Sequence, residues 1–251
     1  NKTPIANWQC YQLNRGDIID FAMPKNGLHS YIAVQGGFSC QENQQAFLSS
    51  FAQTENEMLL GLMGEKLTVG SQLFFAEELL AAESNNTELS LTSAESLKTN
   101  STPKNTNKPE LFYANQELTL RFIANKLFLQ LSAEKQQQFL STRYTVSPDS
   151  NRMGYRLLPK NYTTEILPEC LRAASNLSKP VTFGTIQLPA NNQPIVLMKE
   201  RQTMGGYPVL GTVIQTDLFR LSQMRPGQEI KFSEISYQQA QQQLKAFYQK
   251  F

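Results

Sequence analysis

Residues 194–208 read Pro194-Ile195-Val196-Leu197-Met198-Lys199-Glu200-Arg201-Gln202-Thr203-Met204-Gly205-Gly206-Tyr207-Pro208, an apolar run followed by a polar loop with paired glycines. The apolar run is typical of a buried strand. Glycines lack a Cβ, so they let backbone N–H groups come close to a bound molecule. Arg201, Gln202 and Thr203 add a cation, an amide and a hydroxyl on the same approach. The loop therefore suits an anionic or carbonyl-bearing ligand, and a plain strand followed by a Gly-Tyr-Pro turn is the alternative.

Strand patterns dominate the rest of the chain. Three segments place a glycine turn before a short alternating strand, at residues 13–21, 67–75 and 224–232. Further strands are predicted at residues 30–35, 118–123, 127–131, 185–188, 195–198 and 211–216. Helices are predicted at residues 134–139, 165–174, 218–223 and 236–251, and Ser236 can cap the last of them. The chain is therefore predicted to be mainly β, with few helices.

The composition indicates a division into segments. The 251 residues could form one large domain or two small ones. Residues 81–110 are rich in Ser, Thr, Asn and Lys and almost without aromatic residues, which predicts a flexible polar insertion or linker. We therefore expect an N-terminal β segment over residues 1–80 and a C-terminal β domain over residues 111–251.

Several classes of protein are disfavoured by the composition. A net charge of +2 without a cluster of Lys and Arg argues against nucleic-acid binding. The sequence has no apolar run of about 20 residues and no secretory signal pattern, so we expect a cytoplasmic location. Cys10, Cys40 and Cys170 show neither a disulfide framework nor metal-ligand spacing. His29 is the sole histidine, in what reads as a surface turn, which argues against a Ser-His-Asp or Cys-His hydrolase and excludes a multi-histidine metal site.

Four motifs occur in a recognisable order. They are GLHSYIAVQGGF at residues 27–38, YTVSPDSNRMGYRL at 144–157, GTIQLPANNQPIVLMKERQTMGGYP at 184–208 and DLFRLSQMRPG at 217–227. In order and spacing they resemble the KipA family over nearly the whole chain. That family includes the C-type subunit of the bacterial 5-oxoprolinase, proteins labelled allophanate hydrolase subunit 2 and the carboxyltransferase half of urea carboxylase.

The resemblance implies a fold and partners. It implies a cyclophilin-like β-barrel, which we place at residues 111–251, ending in the C-terminal helix. It also implies a homologous partner chain, similar to KipI or to the B-type subunit of 5-oxoprolinase, and it leaves open a lactam-utilisation subunit as a further partner. Family chains usually begin with a further segment, so we expect roughly the first quarter of the usual domain to lie outside this sequence.

The resemblance also implies an activity. The oxoprolinase members open 5-oxoproline to glutamate with ATP, and the carboxyltransferase members pass a carboxyl group from carboxybiotin to an amide nitrogen such as that of urea. The chain has no Walker-type glycine-lysine loop, so we expect a partner subunit to use the ATP. Biotin is expected only as carboxybiotin carried by a partner.

Carboxyl transfer needs hydrogen-bond donors aimed at an oxygen on which charge develops. We predict two sets of site residues on this basis. The predicted catalytic residues are Gln187, Arg201, Gln202 and Thr203, and the predicted substrate-binding residues are Arg156, Gly205, Gly206 and Tyr207. Guanidinium groups suit a transferred carboxylate, because they can hold two oxygens at once. The structural alternatives are that Gln187 only satisfies neighbouring backbone groups and that Tyr207 is a core residue.

Two functions from different classes follow from these observations. The first is a carboxyltransferase-like subunit of an ATP-dependent complex that acts on 5-oxoproline, urea or a related amide. The second is a regulatory or binding subunit without chemistry that pairs with a KipI-like partner. A free-standing hydrolase is disfavoured, because the sequence lacks a nucleophile and base pair.

Overall fold

The secondary structure is known for five stretches of the chain. The computed structural model describes residues 3–7, 9–39, 67–75, 117–160 and 177–249. The strands are β1 Phe38–Ser39, β2 Phe74–Phe75, β3 Leu118–Ala124, β4 Tyr144–Val146, β5 Gly154–Pro159, β6 Lys179–Pro180, β7 Thr185–Gln187, β8 Ile195–Leu197, β9 Met204–Gly205, β10 Val209–Val213 and β11 Glu229–Glu234. The helices are α1 Lys126–Leu129, α2 Ala133–Ser141, α3 Gln215–Leu221 and α4 Tyr237–Tyr248.

The chain divides into two compact units. One comprises Asn1–His29 and Thr99–Phe251, and the other comprises Ser30–Lys98. In the second unit β1 and β2 form an antiparallel pair. The predicted linker at residues 81–110 lies outside the described residues, so it stays a prediction.

Seven strands of the first unit close into a barrel, in the order β10-β3-β11-β4-β5-β8-β7 and back to β10. The pairing of β11 with β3 is parallel, and the other pairings in the barrel are antiparallel. Closure gives each of these seven strands a neighbour on both sides, which protects their edges. The prediction of a mainly β chain with a cyclophilin-like barrel is confirmed.

Aromatic side chains fill the inside of the barrel. Strand β3 alternates between buried and partly exposed residues, as expected for a strand with one face toward a core. The Phe139 and Phe232 rings stack with centroids 4.6 Å apart, and Phe122 meets Phe128 edge-on at 5.2 Å. These rings are almost fully buried, so they make the barrel interior a packed core.

Some predicted strands are wrong. Residues 127–131 lie in and just beyond α1, because the Asn125 side chain caps that helix by accepting from the Phe128 N–H at 3.2 Å. Residues 30–35 and 13–21 contain turns but form no strand, since no strand among the described residues pairs with them and apolar alternation alone does not make a ladder. The strand predicted at 211–216 ends at Val213, where the chain turns into α3.

Two helix predictions are confirmed closely. Helix α2 covers the predicted 134–139, and α4 covers most of the predicted 236–251. Ser236 caps α4 as expected: its Oγ accepts from the Gln239 N–H, while Gln239 Oε1 accepts from the Ser236 N–H. Helix α3 begins three residues before the predicted 218, and residues 165–174 lie outside the described ranges. Within the described ranges, no helix is both long and apolar enough to cross a membrane.

A buried ion pair fixes α3 against the barrel. Asp217 is fully buried, and its Oδ2 accepts from the backbone N–H and the Nε–H of Arg121, each at 2.8 Å. Its Oδ1 accepts from a terminal guanidinium nitrogen of the same arginine. The hydrogen bond to Asp217 raises the pKa of Arg121. The aspartate that opens the fourth motif therefore joins α3 to β3.

The first and fourth motifs meet in space. Gln223 Oε1 accepts from the backbone N–H groups of Leu28 and His29, at 2.8 and 3.0 Å. The Arg225 guanidinium donates to the carbonyl oxygens of Pro24 and Gly27. The pKa of His29 is lowered, first by partial burial of the His29 imidazole and then by the charge of Arg152. Gln223 and Arg225 of the fourth motif thus hold residues 24–29 against the barrel.

Candidate functional site

Strand register places two predicted site residues on one face of the barrel. Arg156 of β5 lies opposite Ile195 of β8, and Ile195 lies opposite Gln187 of β7. The neighbouring residues Tyr155, Val196 and Ile186 belong to the barrel core, so this row faces outward. Adjacent strands are about 4.8 Å apart, which puts the Arg156 and Gln187 backbones about 10 Å from each other with Ile195 between them.

Gln187 is a buried amide with an unused donor. The residue is only 1% exposed, and its Nε2 has no hydrogen-bond partner among the described residues. Leaving such a donor buried and unpaired costs about 1–3 kcal/mol. The structure thus gives no support to the alternative in which the Gln187 donor satisfies backbone groups. An acceptor oxygen brought to this face would find a dry amide N–H.

Buried apolar residues lie beside Gln187. Val181, Ile195 and Leu197 make a small buried cluster, separate from the barrel core. The apolar run at 194–198 predicts a strand buried on both faces, and the structure shows β8 in that state. The face therefore combines apolar surroundings with a polar donor, as sites for small organic molecules commonly do.

A short ribbon covers this face. Strands β6 and β9 pair antiparallel, with Lys179 opposite Gly205 and Pro180 opposite Met204. The ladder continues to the Val181 N–H, which donates to the Thr203 carbonyl at 3.0 Å. An ideal Cβ on Gly205 would lie 2.3 Å from Gln187 Nε2, so the ribbon backbone rests directly on the glutamine amide.

The loop from β8 to the ribbon is held by its backbone and by one ion pair. The Arg201 N–H donates to the Met198 carbonyl at 3.3 Å, and the Glu200 N–H donates to the Arg152 carbonyl at 3.0 Å. The Glu200 carboxylate also pairs with Arg152 Nε at 3.0 Å. Arg201 Nε is buried, and in the part of the chain that the structure describes it lacks a hydrogen-bond partner. A second unused donor therefore lies in the predicted loop.

The remaining predicted residues lie in or next to the ribbon. Gln202 and Gly206 are half-buried, and Thr203 is exposed. Tyr207 is 51% exposed, which contradicts the alternative that it belongs to the core. The structure thus brings Gln187 and Gly205 into contact and places Arg156 on the same barrel face. It leaves the side chains of Thr203 and Tyr207 accessible to solvent.

The sequence did not predict the ribbon strand β6 or the buried residue that follows it, Val181. Lys179 and Pro180 carry no strand signal, because a charged residue followed by proline is typical of loops. Proline fits here because hydrogen-bonded and non-hydrogen-bonded pairs alternate in an antiparallel ladder. Since Val181 donates to Thr203, the pair Pro180–Met204 is a non-hydrogen-bonded one and needs no N–H.

A separate depression of about 810 Å³ contains none of the predicted site residues. It is lined by Leu140, Ser141, Thr142, Arg143, Lys160, Glu229 and Lys231. Its cations are engaged in ion pairs with Glu117 and Glu229. Across the described stretches, no group of His, Cys, Asp and Glu is arranged to hold a metal ion. The barrel face at Gln187 is therefore the stronger candidate site.

Comparisons with known proteins agree with this fold. The family model described as carboxyltransferase domain, subdomain A and B, matches residues 1–234, and the chain belongs to this family. Among individual relatives, the C-type subunit of 5-oxoprolinase from Haemophilus influenzae is 29% identical over 241 residues, covering 96% of this chain and 66% of the relative. The Escherichia coli protein of the same name is 27% identical over 247 residues, covering 94% and 66%. The resemblance predicted from the motifs is confirmed.

The urea-processing proteins extend the comparison. The urea amidolyase of Lachancea kluyveri is 25% identical over 245 residues, covering 96% of this chain and 13% of the relative. The solved structure of the K. lactis urea amidolyase has a TM-score of 0.59 at 19% identity, covering 85% of this chain and 12% of that chain. That structural likeness shows the fold alone. The chain spans 66% of the length of the two 5-oxoprolinase relatives.

Proposed function

We propose that the chain is the carboxyltransferase-domain subunit of an ATP-dependent complex that processes an amide or lactam, such as 5-oxoproline or urea. The observation that carries this proposal is the buried Gln187 side chain, whose Nε2 has no hydrogen-bond partner within the described residues, beside an apolar cluster on the barrel. Family membership and the two relatives named as 5-oxoprolinase subunits support it.

Each site residue has a role in this proposal. Gln187 Nε2 donates to the carbonyl oxygen of the ligand, and Gln202 and the Gly206 N–H add further donors. A well-placed donor to a developing oxyanion is worth about 2.7–4 kcal/mol of transition-state stabilisation. Arg156, two strands away, binds a carboxylate, since guanidinium stays charged at all ordinary pH values. Arg201 contributes its buried Nε–H.

The other predicted residues complete the rim of the site. Tyr207, with its ring half exposed, can stack on a flat ligand, and the exposed Thr203 can donate through its hydroxyl. Gly205 forms part of the wall of the site through its contact with Gln187. A small planar ring with a carbonyl group fits the combination of Val181, Ile195 and the Gln187 donor.

Partners supply what this chain lacks in the proposal. Carboxybiotin on a partner provides the carboxyl group when the complex works by carboxyl transfer, and its ureido carbonyl matches the Gln187 donor. ATP is used by another subunit. The partners are a chain similar to KipI or to the B-type subunit of 5-oxoprolinase and, for the lactam reaction, a lactam-utilisation subunit, all in the cytoplasm.

A regulatory subunit without chemistry is the second candidate. Exposed apolar side chains in and near the ribbon favour it: Leu177, Met204 and Tyr207 are 72%, 47% and 51% exposed. Side chains of this kind suit contact with another protein as well as contact with a ring. In that case the KipI-like partner contacts the outer face of the ribbon, and no reaction occurs there.

Reconstitution separates the two candidates. The chain is co-purified with its KipI-like and lactam-utilisation partners, and ATP-dependent conversion of 5-oxoproline to glutamate is measured beside carboxybiotin-dependent carboxylation of urea. Turnover of either substrate supports the subunit of an enzyme complex. A stable complex without turnover supports the regulatory subunit, and failure of the chains to associate rejects both.

A further inference from the structure

Gly205 contributes space to the site. An ideal Cβ at this position would come 2.3 Å from Gln187 Nε2 and 3.3 Å from Val181 Cγ1. The first distance is far below van der Waals contact, so any side chain here would displace either the glutamine amide or the ribbon. Glycine at position 205 therefore lets the ribbon backbone and the Gln187 carboxamide lie in contact without either of them shifting.

The backbone N–H of Gly205 already has a place in the ladder. Val181 donates to Thr203, so the Val181–Thr203 pair is a hydrogen-bonded one. Two kinds of pair alternate along an antiparallel ladder, so the pair Lys179–Gly205, two residues further, is also hydrogen-bonded. The Gly205 N–H thus faces Lys179 across the ribbon. Gly205 therefore acts on Gln187 through its lack of a side chain, which leaves room for the glutamine amide, and not through its N–H.

The two faces of the ribbon differ in what they contact. Gly205 lies on its inner face, against Gln187, and Val181, which is buried, lies on the same face beside Gly205. Pro180 and Met204 lie on its outer face, and both are exposed. On β9, Gly205 therefore lies against the glutamine amide, whereas the neighbouring Met204 lies on the opposite, exposed face.

We propose that Gly205 is a positioning residue for Gln187, and that the β6–β9 ribbon is a cover that must part from β7 before a ligand reaches Gln187 Nε2. This inference rests on the ligand-binding role proposed above for Gln187. The closed ribbon holds the carboxamide in one place and keeps water from it, which preorganises the donor. The ribbon has only two residues in each strand, so it belongs to the class of elements that open locally while the barrel stays folded.

Hydrogen exchange followed by NMR on the full chain tests the proposal without any need for turnover. In the wild-type protein, the Val181 N–H, which closes the ribbon ladder, is expected to exchange about tenfold or more faster than the Leu188 N–H, which bonds to the Pro208 carbonyl. The side-chain amide protons of Gln187 are expected to exchange at least about tenfold more slowly than those of the exposed Gln242.

Two substitutions on β9 then distinguish an effect of the Gly205–Gln187 contact from a general loss of ribbon stability. Gly205→Ala is expected to speed exchange at the Val181 N–H and at the Gln187 side chain by about tenfold, because the new methyl group holds the ribbon off the glutamine. Met204→Ala, on the outer face of the same strand, is the matched control and should change both rates less than about twofold. Combining Gly205→Ala with Gln187→Ala restores the room and should return Val181 exchange to the rate of Gln187→Ala alone.

Specific results would overturn the proposal. Equal protection of Val181 and Leu188 in the wild-type protein would show that the ribbon does not open by itself. Unchanged exchange in Gly205→Ala, or a double variant as fast as Gly205→Ala, would show that the two residues do not act on each other. A complex that shows no turnover would reject the proposed function and leave these exchange rates readable, so the two failures are distinguishable.

Discussion

Two buried polar side chains in this barrel are satisfied to very different degrees. Asp217 has both carboxylate oxygens occupied by Arg121, whereas Gln187 Nε2 has no partner within the described residues. A fully paired group in a dry environment serves the structure, and an unpaired one costs stability unless a ligand satisfies it. The first residue therefore serves stability, and the second fits the binding role proposed above.

Asp217→Asn tests the structural assignment. The change removes a fully buried negative charge from Arg121, and we expect it to lower the free energy of unfolding by about 3 kcal/mol. This is the lower end of the range for a broken buried pair, because Arg121 keeps contact with solvent. Urea unfolding measures it, and Asp149→Asn, at an exposed position, is the matched control. A loss for Asp217→Asn no larger than that of the control would contradict the assignment.

Glu117 gives a prediction of pH dependence. Its hydrogen bond to Lys231, and then its contacts with Arg143, lower its pKa from the ordinary value of 4.5. A carboxylate with a lowered folded-state pKa stabilises the protein above the unfolded value, and this contribution is lost as the pH falls through the folded value. Glu117→Gln should therefore reduce the free energy of unfolding by about 0.5–1 kcal/mol near pH 7, with the difference disappearing below pH 4.5.

Urea unfolding of both proteins across pH 3–7 measures this difference. Glu234→Gln, which changes an exposed carboxylate on β11, serves as the control and should match the wild-type protein. A Glu117→Gln difference that grows as the pH falls would have the opposite sign to the one expected and would contradict the assignment.

Elements with a complete local pattern are predictable from this sequence. Strand β3 has its alternation of buried and partly exposed residues within seven positions, and α4 has its capping box and apolar stripe. Helix α1 could not be predicted in the same way, because its apolar run looks like a strand and only the Asn125 cap decides the outcome. Ribbon strand β6 depends entirely on its pairing with β9.

The attachment of residues 24–29 can be tested at the level of the element. Gln223→Leu removes the acceptor shared by the N–H groups of Leu28 and His29. We expect these two amides to exchange with solvent about tenfold faster, while amides inside the barrel keep their rates. NMR hydrogen exchange measures this, with Gln242→Leu as the control on exposed helix α4. Unchanged exchange at both amides would mean that Arg225 alone holds the segment.

The site could be predicted only in part, because it depends on the whole barrel. Residues 199–207 lie together in the sequence, so their polar and glycine-rich character is visible there. The row of Arg156, Ile195 and Gln187 joins three strands and depends on the register between them. A one-residue slip of a strand would turn its side chain in this row toward the barrel interior. The sequence pattern indicates the residue types, and closure of the barrel decides which of them share a face.

The family relationship and the site carry different parts of the account. Membership of the carboxyltransferase-domain family explains the barrel and its order of motifs. The proposed chemistry depends on one buried donor beside an apolar cluster, because that feature distinguishes a binding face from an ordinary barrel wall.

Turnover by a Gln187→Leu variant tests this most directly. The substitution keeps the approximate size of the side chain and removes its donor, and the reconstituted complex is assayed for ATP-dependent cleavage of 5-oxoproline. We expect kcat to fall by about 100-fold or more, as for loss of one oxyanion donor, while Gln242→Leu on the exposed face of α4 matches the wild-type protein. Wild-type turnover by Gln187→Leu would contradict the account.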